Sequence, residues 1–193
     1  MGVAGERPGG VFRQMRLVKL LKRRKSDIIA KWFDLVVTTY PPDTSRFLKN
    51  QRDPFANPVG QTTRGSLETL LELLMADTDD PVRLAEAIDP VVRIRAVQQF
   101  TPSHAIGFTF GLKAIVQALC EKDLRDEGLF REFAAFCDRI DQMGLTAFDI
   151  YMQCREKISS LKIANERDRF YSAFSRAGLI DEETAADPAE DGS

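Results

Sequence analysis

The stretch TPSHAIGFTFGLKAIVQALC, from Thr101 to Cys120, opens with a helix-start signal and then carries Ile106, Phe108, Phe110, Leu112, Ile115, Val116 and Leu119. Apolar residues fall on nearly every side of a 3.6-residue period, so it reads as a helix in the middle of a core. Gly107 and Gly111, four apart, leave a smooth stripe on it. That stripe suits either close packing by a neighbouring helix or room for a ligand.

Working outward from this helix, the same periodicity recurs almost everywhere. Downstream, Leu129 to Phe174 scarcely interrupts its helical spacing, and Gly144 is the expected break. Upstream, Asp80-Pro81 supplies an N-cap and a first-turn proline for a helix that Pro90 is expected to kink or divide before Val91 to Phe100. Leu67, Leu70, Leu71, Leu74 and Met75 mark another amphipathic helix. Pro41, Pro42, Pro54, Pro58 and Gly60 make the segment before it a loop around a short helix near Thr44 to Lys49. Leu17, Leu21, Ile28, Trp32 and Val36 indicate one long helix, or two meeting near Ser26. No alternating pattern flanked by turn signals suggests a strand. The expected fold is an all-α, single-domain bundle of seven or eight helices over residues 12–176. A glycine-rich leader (residues 1–11) precedes it and an acidic tail (177–193) follows.

Composition narrows the function. With 44% hydrophobic and 29% charged residues, the chain has enough apolar material for a core and is not of disordered type. No stretch reaches the roughly 18 apolar residues of a membrane span. The basic start has no apolar centre, because Lys19 interrupts Leu17 to Leu21, so no secretory signal is read and the expected location is cytoplasmic. Three cysteines, an odd number, argue against a disulfide framework. On one helix, Cys137 and Cys154 stand roughly 25 Å apart at about 1.5 Å per residue, too far to share a metal. Buried, inert thiols are expected.

Chemistry-bearing motifs are missing. There is no glycine-rich phosphate loop, no nucleophile elbow, and a single histidine, His104, to serve any triad or zinc site. No catalytic residue, metal site or cofactor is assigned, and the chain is read as a non-enzyme. Nucleic acid is not an expected partner, since Phe12 is the one aromatic within the basic segment. A membrane surface is a conceivable partner only through residues 12–25, where Met15, Leu17, Val18, Leu20 and Leu21 interleave the cations.

Two stretches carry a family likeness. RIRAVQQFTPSHAIGF (Arg93–Phe108) with Leu112-Lys113, and AFDIYMQCREK (Ala147–Lys157) with Asn165-Glu166, resemble the amino-terminal domain of RsbRD-type co-antagonists. Trp32 and Asn57-Pro58 extend the likeness over roughly residues 27–170. The resemblance implies a globin-like bundle that does not bind haem and forms the sensory, dimeric end of a stress-signalling scaffold. Relatives attach a STAS domain that a kinase phosphorylates; here an acidic tail follows the last helix, so a free-standing domain without the phosphoacceptor role is expected. Free-standing versions look similar to proteins encoded near redox complexes of dissimilatory sulfite reduction. The implied partners are a second copy of the chain and an unidentified signalling or redox protein. The alternatives are a peripheral adaptor of a membrane redox complex and a haem- or small-ligand-binding protein using His104.

Candidate partner- or ligand-binding residues are Arg93, Arg95, Gln98, Ser103, His104, Gly107, Gly111, Tyr151, Arg155 and Glu156. Arg93, Arg95, Asp149, Arg155 and Glu156 stand among apolar positions, so each is expected to pair with another charge or with backbone groups.

Overall fold

A computed structural model describes residues 15–51, 53, 55–76 and 79–177; the leader, Phe12 and the acidic tail beyond Ala177 lie outside them. Among these residues there are seven α-helices, one short 3₁₀ turn and no strand. The helices are α1 (Met15–Arg23), α2 (Lys25–Val37), α3 (Pro42–Asn50), α4 (Pro58–Leu74), α5 (Pro81–Val97), α6 (Pro102–Cys120) and α7 (Glu127–Arg176). The architecture is the expected all-α bundle.

Four consecutive helices, α3 to α6, begin with proline in the first turn. There the missing N–H would have lacked an intrahelical acceptor in any case, and the fixed φ suits a helix. Two of these starts are also capped. Asp80 accepts from the Arg83 amide at 3.0 Å, and Asn57 accepts from the Gly60 amide at 2.9 Å. The buried Asn57 also donates to the carbonyls of Leu48 and Gln51, both at 3.0 Å, tying the end of α3 to the start of α4. A Cβ at Gly60 would overlap the Asn57 carboxamide, so the third helical position needs glycine for this clasp to close.

The first compact unit runs to Met152. Within it α4 packs along α5, and α2 packs on both α6 and α4. Trp32 of α2 is 0% exposed, and its indole N–H donates to the Phe108 carbonyl of α6 at 2.8 Å. The first half of α7 adds Phe133, Phe136, Ile140, Met143, Ala147 and Tyr151 to the core at spacings of three and four. Its start is capped by Asp126, which accepts from the Leu129 amide at 2.9 Å and is paired with Arg16 at 3.0 Å. The Arg16 guanidinium holds the Asp126 carboxyl below the usual carboxylate range. Glu132 accepts the Leu17 amide at 2.7 Å, fastening α1 alongside. Leu17 and Leu21 are fully buried, so the main apolar positions of α1 are occupied within the protein.

Arg139 of α7 closes the end of α4. Its guanidinium donates to the carbonyls of Leu73 (3.0 Å), Leu74 (2.7 Å) and Ala76 (2.8 Å) and reaches Asp79 at 2.8 Å. Leu73 and Leu74 stand in the last turn of α4, whose carbonyls lack intrahelical donors, and Ala76 lies just beyond the cap. A cation is also favoured by the helix dipole at that end.

Several local expectations are corrected. Pro90 does not divide α5, which runs through it from Pro81 to Val97 with Ile88, Val91 and Val92 buried on either side. Gly144 does not end α7 either. It is where the Phe110 ring of α6 lies directly on the α7 backbone, so that a Cβ would overlap the ring. The core of α6 is one-sided, with Ala105, Phe108, Leu112, Val116 and Cys120 buried while Phe110 is 39% exposed. Near Ser26 no correction is needed: of the two expected arrangements the second holds, two helices separated by Arg24.

The second unit begins at Gln153 and contains the remainder of α7. Leu161, Ile163, Phe170, Tyr171 and Phe174 are exposed there. Cys120, Cys137 and Cys154 are all free, and burial pushes the Cys120 and Cys137 thiols up, away from the reactive thiolate. No helix among the described residues is long and apolar enough to cross a membrane.

Candidate functional site

The turn between α5 and α6 is built by a helix-ending motif. The Phe100 amide donates to the Arg95 carbonyl at 3.2 Å and the Gln99 amide to the Ala96 carbonyl at 3.3 Å, with Gln99 left-handed at φ 63°. This is the Schellman arrangement, which ordinarily favours glycine at the left-handed position. Gln99→Gly should therefore raise stability by about 0.5–1 kcal/mol, the strain of a side chain there outweighing the added freedom of the unfolded chain. Urea denaturation checks this; an unchanged or lower midpoint would show that the glutamine side chain contributes compensating contacts.

The turn places Arg95 beneath itself. Arg95 is 0% exposed, and its Nε donates to the Ala105 carbonyl at 3.0 Å. Its Nη2 donates to the His104 carbonyl at 2.6 Å and to the Thr39 hydroxyl at 2.8 Å. The Thr39 hydroxyl in turn donates to the Val36 carbonyl at 2.6 Å. Three rings surround the guanidinium carbon: Phe100 at 4.4 Å, Tyr40 at 5.5 Å and Phe108 at 5.7 Å. All three lie within cation–π range. Tyr40 and Phe100 also meet edge to face at 5.1 Å. Burial pulls the Arg95 pKa down and pushes the Tyr40 phenol up, the latter partly offset by the adjacent guanidinium charge. On the outer side Thr39, Tyr40, Gln98, Gln99, Phe100 and His104 border an open cleft.

The candidate residues separate accordingly. Gln98 and His104 line the cleft, while Arg95 is buried and bonds to the His104 carbonyl, and Tyr151 of α7 donates its hydroxyl to the Phe100 carbonyl at 2.5 Å. Ser103 is exposed in the first turn of α6, with its hydroxyl 3.4 Å from that of Thr101. Arg93 is exposed and grips Asp89 one turn back through Nε, at 2.8 and 2.7 Å. Gly107 faces open space, and Gly111 is covered by the Leu35 side chain, which would overlap a Cβ there. The glycine stripe is thus half packed and half bare. Arg155 and Glu156 belong to the second unit, where Arg155 is half-buried and Glu156 exposed. Asp149 is exposed as well. Of the five charges expected among core positions, Arg95 alone is deeply buried, and its partners are neutral oxygens. His104 is exposed in the first turn of α6, whereas a proximal haem ligand needs an interior position.

Sequence reasoning missed Thr39 and Tyr40. They lie at the end of α2, more than fifty residues before Arg95, and their only local signal is the Pro41-Pro42 stop.

Fold and site together define an all-α bundle domain organised around a buried arginine that clamps the ends of α2, α5 and α6. The chain belongs to the family of the RsbT co-antagonist protein rsbRD N-terminal domain, whose model matches residues 26–164, well over half its length. It is thereby an N-terminal domain of the stress-signalling co-antagonist type. No curated protein and no solved structure matches the chain.

Proposed function

We propose that this domain is a non-catalytic sensory module of the cytoplasm that works by dimerising and binding a protein partner. The observation that carries the reading, beside family membership, is the row of apolar side chains on the second unit. Ile163, Phe170 and Phe174 are exposed by 65%, 64% and 46%. Their spacings of seven and four put them on one face of the helix, as in a helix–helix seam. Exposed aromatic groups in such a row mark an interaction surface. A signal received in the first unit would be passed on through α7, which is continuous from Glu127 to Arg176.

Sedimentation equilibrium of the full chain is the test. A dimer is expected, and Phe170→Glu should shift it to monomer by at least about ten-fold in dissociation constant, with the helical circular dichroism retained. A strictly monomeric wild-type chain at high concentration would remove the basis for this reading.

A further inference from the structure

Arg16, Arg24, Lys49, Arg93, Lys113 and Arg139 each pair with an aspartate. One cleft departs from this pattern. It lies where the α1–α2 junction meets α4, bordered by Lys22, Arg23, Lys25, Ser26, Arg64 and Glu68, with the buried Ile29 also on its wall. Of its four cations, Lys25 is engaged by Glu72 at 2.6 Å. Among the described residues no carboxylate pairs with Lys22, Arg23 or Arg64.

Arg64 is held in place without an anion. Its guanidinium carbon stands 4.2 Å over the ring of Phe33, a residue 3% exposed. A ring under the plane of a guanidinium leaves its N–H edge for an acceptor. Lys25 and Ser26, which border the cleft, also open α2. Arg24 gives that helix no side-chain cap, and among the described residues no carbonyl accepts from the Lys25, Ser26 or Asp27 amides. First-turn amides of this kind lack intrahelical acceptors and suit anions. We propose that this cleft binds the phosphate group of a soluble phosphate monoester, held by Lys22, Arg23 and Arg64 at the opening turn of α2.

Charge decides between anion types. Glu72 balances Lys25 and Glu68 balances one of the other three cations, which leaves two positive charges for a ligand. A phosphate monoester carries about −1.5 to −2 near neutral pH and presents three acceptor oxygens. A diester keeps a single charge, and a carboxylate offers two oxygens. Guanidinium forks and lysine point charges both suit phosphate. A lipid surface is the weaker source of the group, because Leu17 and Leu21 of α1 are buried and have no part to play in entering it. Occupancy would bridge α1, α2 and α4, each of which contributes a cation. As a signal, such a ligand rests on the sensory reading above; the site itself stands apart from it.

The experiment is an amide-resolved NMR titration of the full chain with glycerol 3-phosphate, dimethyl phosphate and succinate. Glycerol 3-phosphate is expected to give saturable shifts at Arg23, Lys25, Ser26 and Arg64 in about the millimolar range, with the other two at least about ten-fold weaker. No saturable response to the monoester, or equal affinity for either of the others, overturns the proposal. Arg64→Gln should weaken the monoester at least about five-fold with circular dichroism unchanged. Should that variant fail to fold, Arg23→Gln, at an exposed position, should do the same. Lys19→Gln removes an equal charge from α1 outside the cleft wall and should leave affinity within about two-fold. Undiminished binding in a folded cleft variant, or an equal loss at Lys19, overturns the site. Sedimentation with phosphatidylcholine vesicles containing phosphatidic acid separates the sources: vesicle binding without a response to glycerol 3-phosphate overturns the soluble ligand. A chain that dimerises but ignores glycerol 3-phosphate removes the phosphate site alone, and one that binds it but stays monomeric removes the dimeric-module reading alone.

Discussion

Replacing Trp32 with alanine should destabilise the domain by about 3–5 kcal/mol, as large-to-small changes of buried aromatic residues do. Trp32 is fully buried and is the chain's single tryptophan, on the α2 face that packs against α6. Two effects add. Most of the loss comes from apolar burial and the cavity left behind. A smaller part, about 1–2 kcal/mol, comes from the Phe108 carbonyl left without the indole donor in the interior. Trp32→Phe separates them, since it keeps much of the ring and removes the N–H. Urea denaturation followed by far-ultraviolet circular dichroism is the measurement. If Trp32→Ala lost less than about 1.5 kcal/mol, the α2–α6 contact could not be the tightly packed centre described here.

Arg139→Ala should cost about 2–4 kcal/mol, and Arg139→Lys should recover only part of it. The guanidinium serves three carbonyls at the end of α4, and its side chain is 18% exposed. The Asp79 carboxylate on its other side is 82% exposed, so that ion pair contributes little beside the bonds to carbonyls. Asp79→Ala should accordingly change stability by less than about 0.5 kcal/mol. A lysine places one point charge where a planar fork spans three acceptors. Equal stability of Arg139→Lys and wild type would mean that charge at the helix end, not the fork, is what matters. An Asp79→Ala loss as large as that of Arg139→Ala would reverse the ranking of the two contributions.

How legible the site was depended on sequence distance. The Asp89–Arg93 pair lies one helical turn apart, so spacing alone suffices to find it. The cap at Asp80 and the prolines at 81 and 102 are equally local signals, and the structure has helices starting there. Arg95 resisted the same treatment. Of the two expected kinds of partner, charged or backbone, it has the backbone kind in two carbonyls of α6, with the Thr39 hydroxyl from just beyond α2 beside them. Which oxygens surround a buried cation depends on how three helix ends converge, and no one-dimensional pattern records that. Gly144 was misjudged for a related reason. Glycine weakens a helix by intrinsic propensity, and packing against Phe110 overrode the propensity there.

The sequence by itself determined the all-helical class, the helix starts at Pro81 and Pro102, the absence of a recognisable catalytic motif and the family likeness, because helical period, caps and motifs are properties of neighbouring residues. Only the tertiary structure decided that α6 is covered on one side, that Gly111 and Gly144 are contact points for Leu35 and Phe110, and that Arg95 lies buried without a carboxylate among Thr39, Tyr40 and Phe100. Those outcomes depend on which helix faces which. That choice is made by the packing of the whole chain, in which an isolated stretch has no vote.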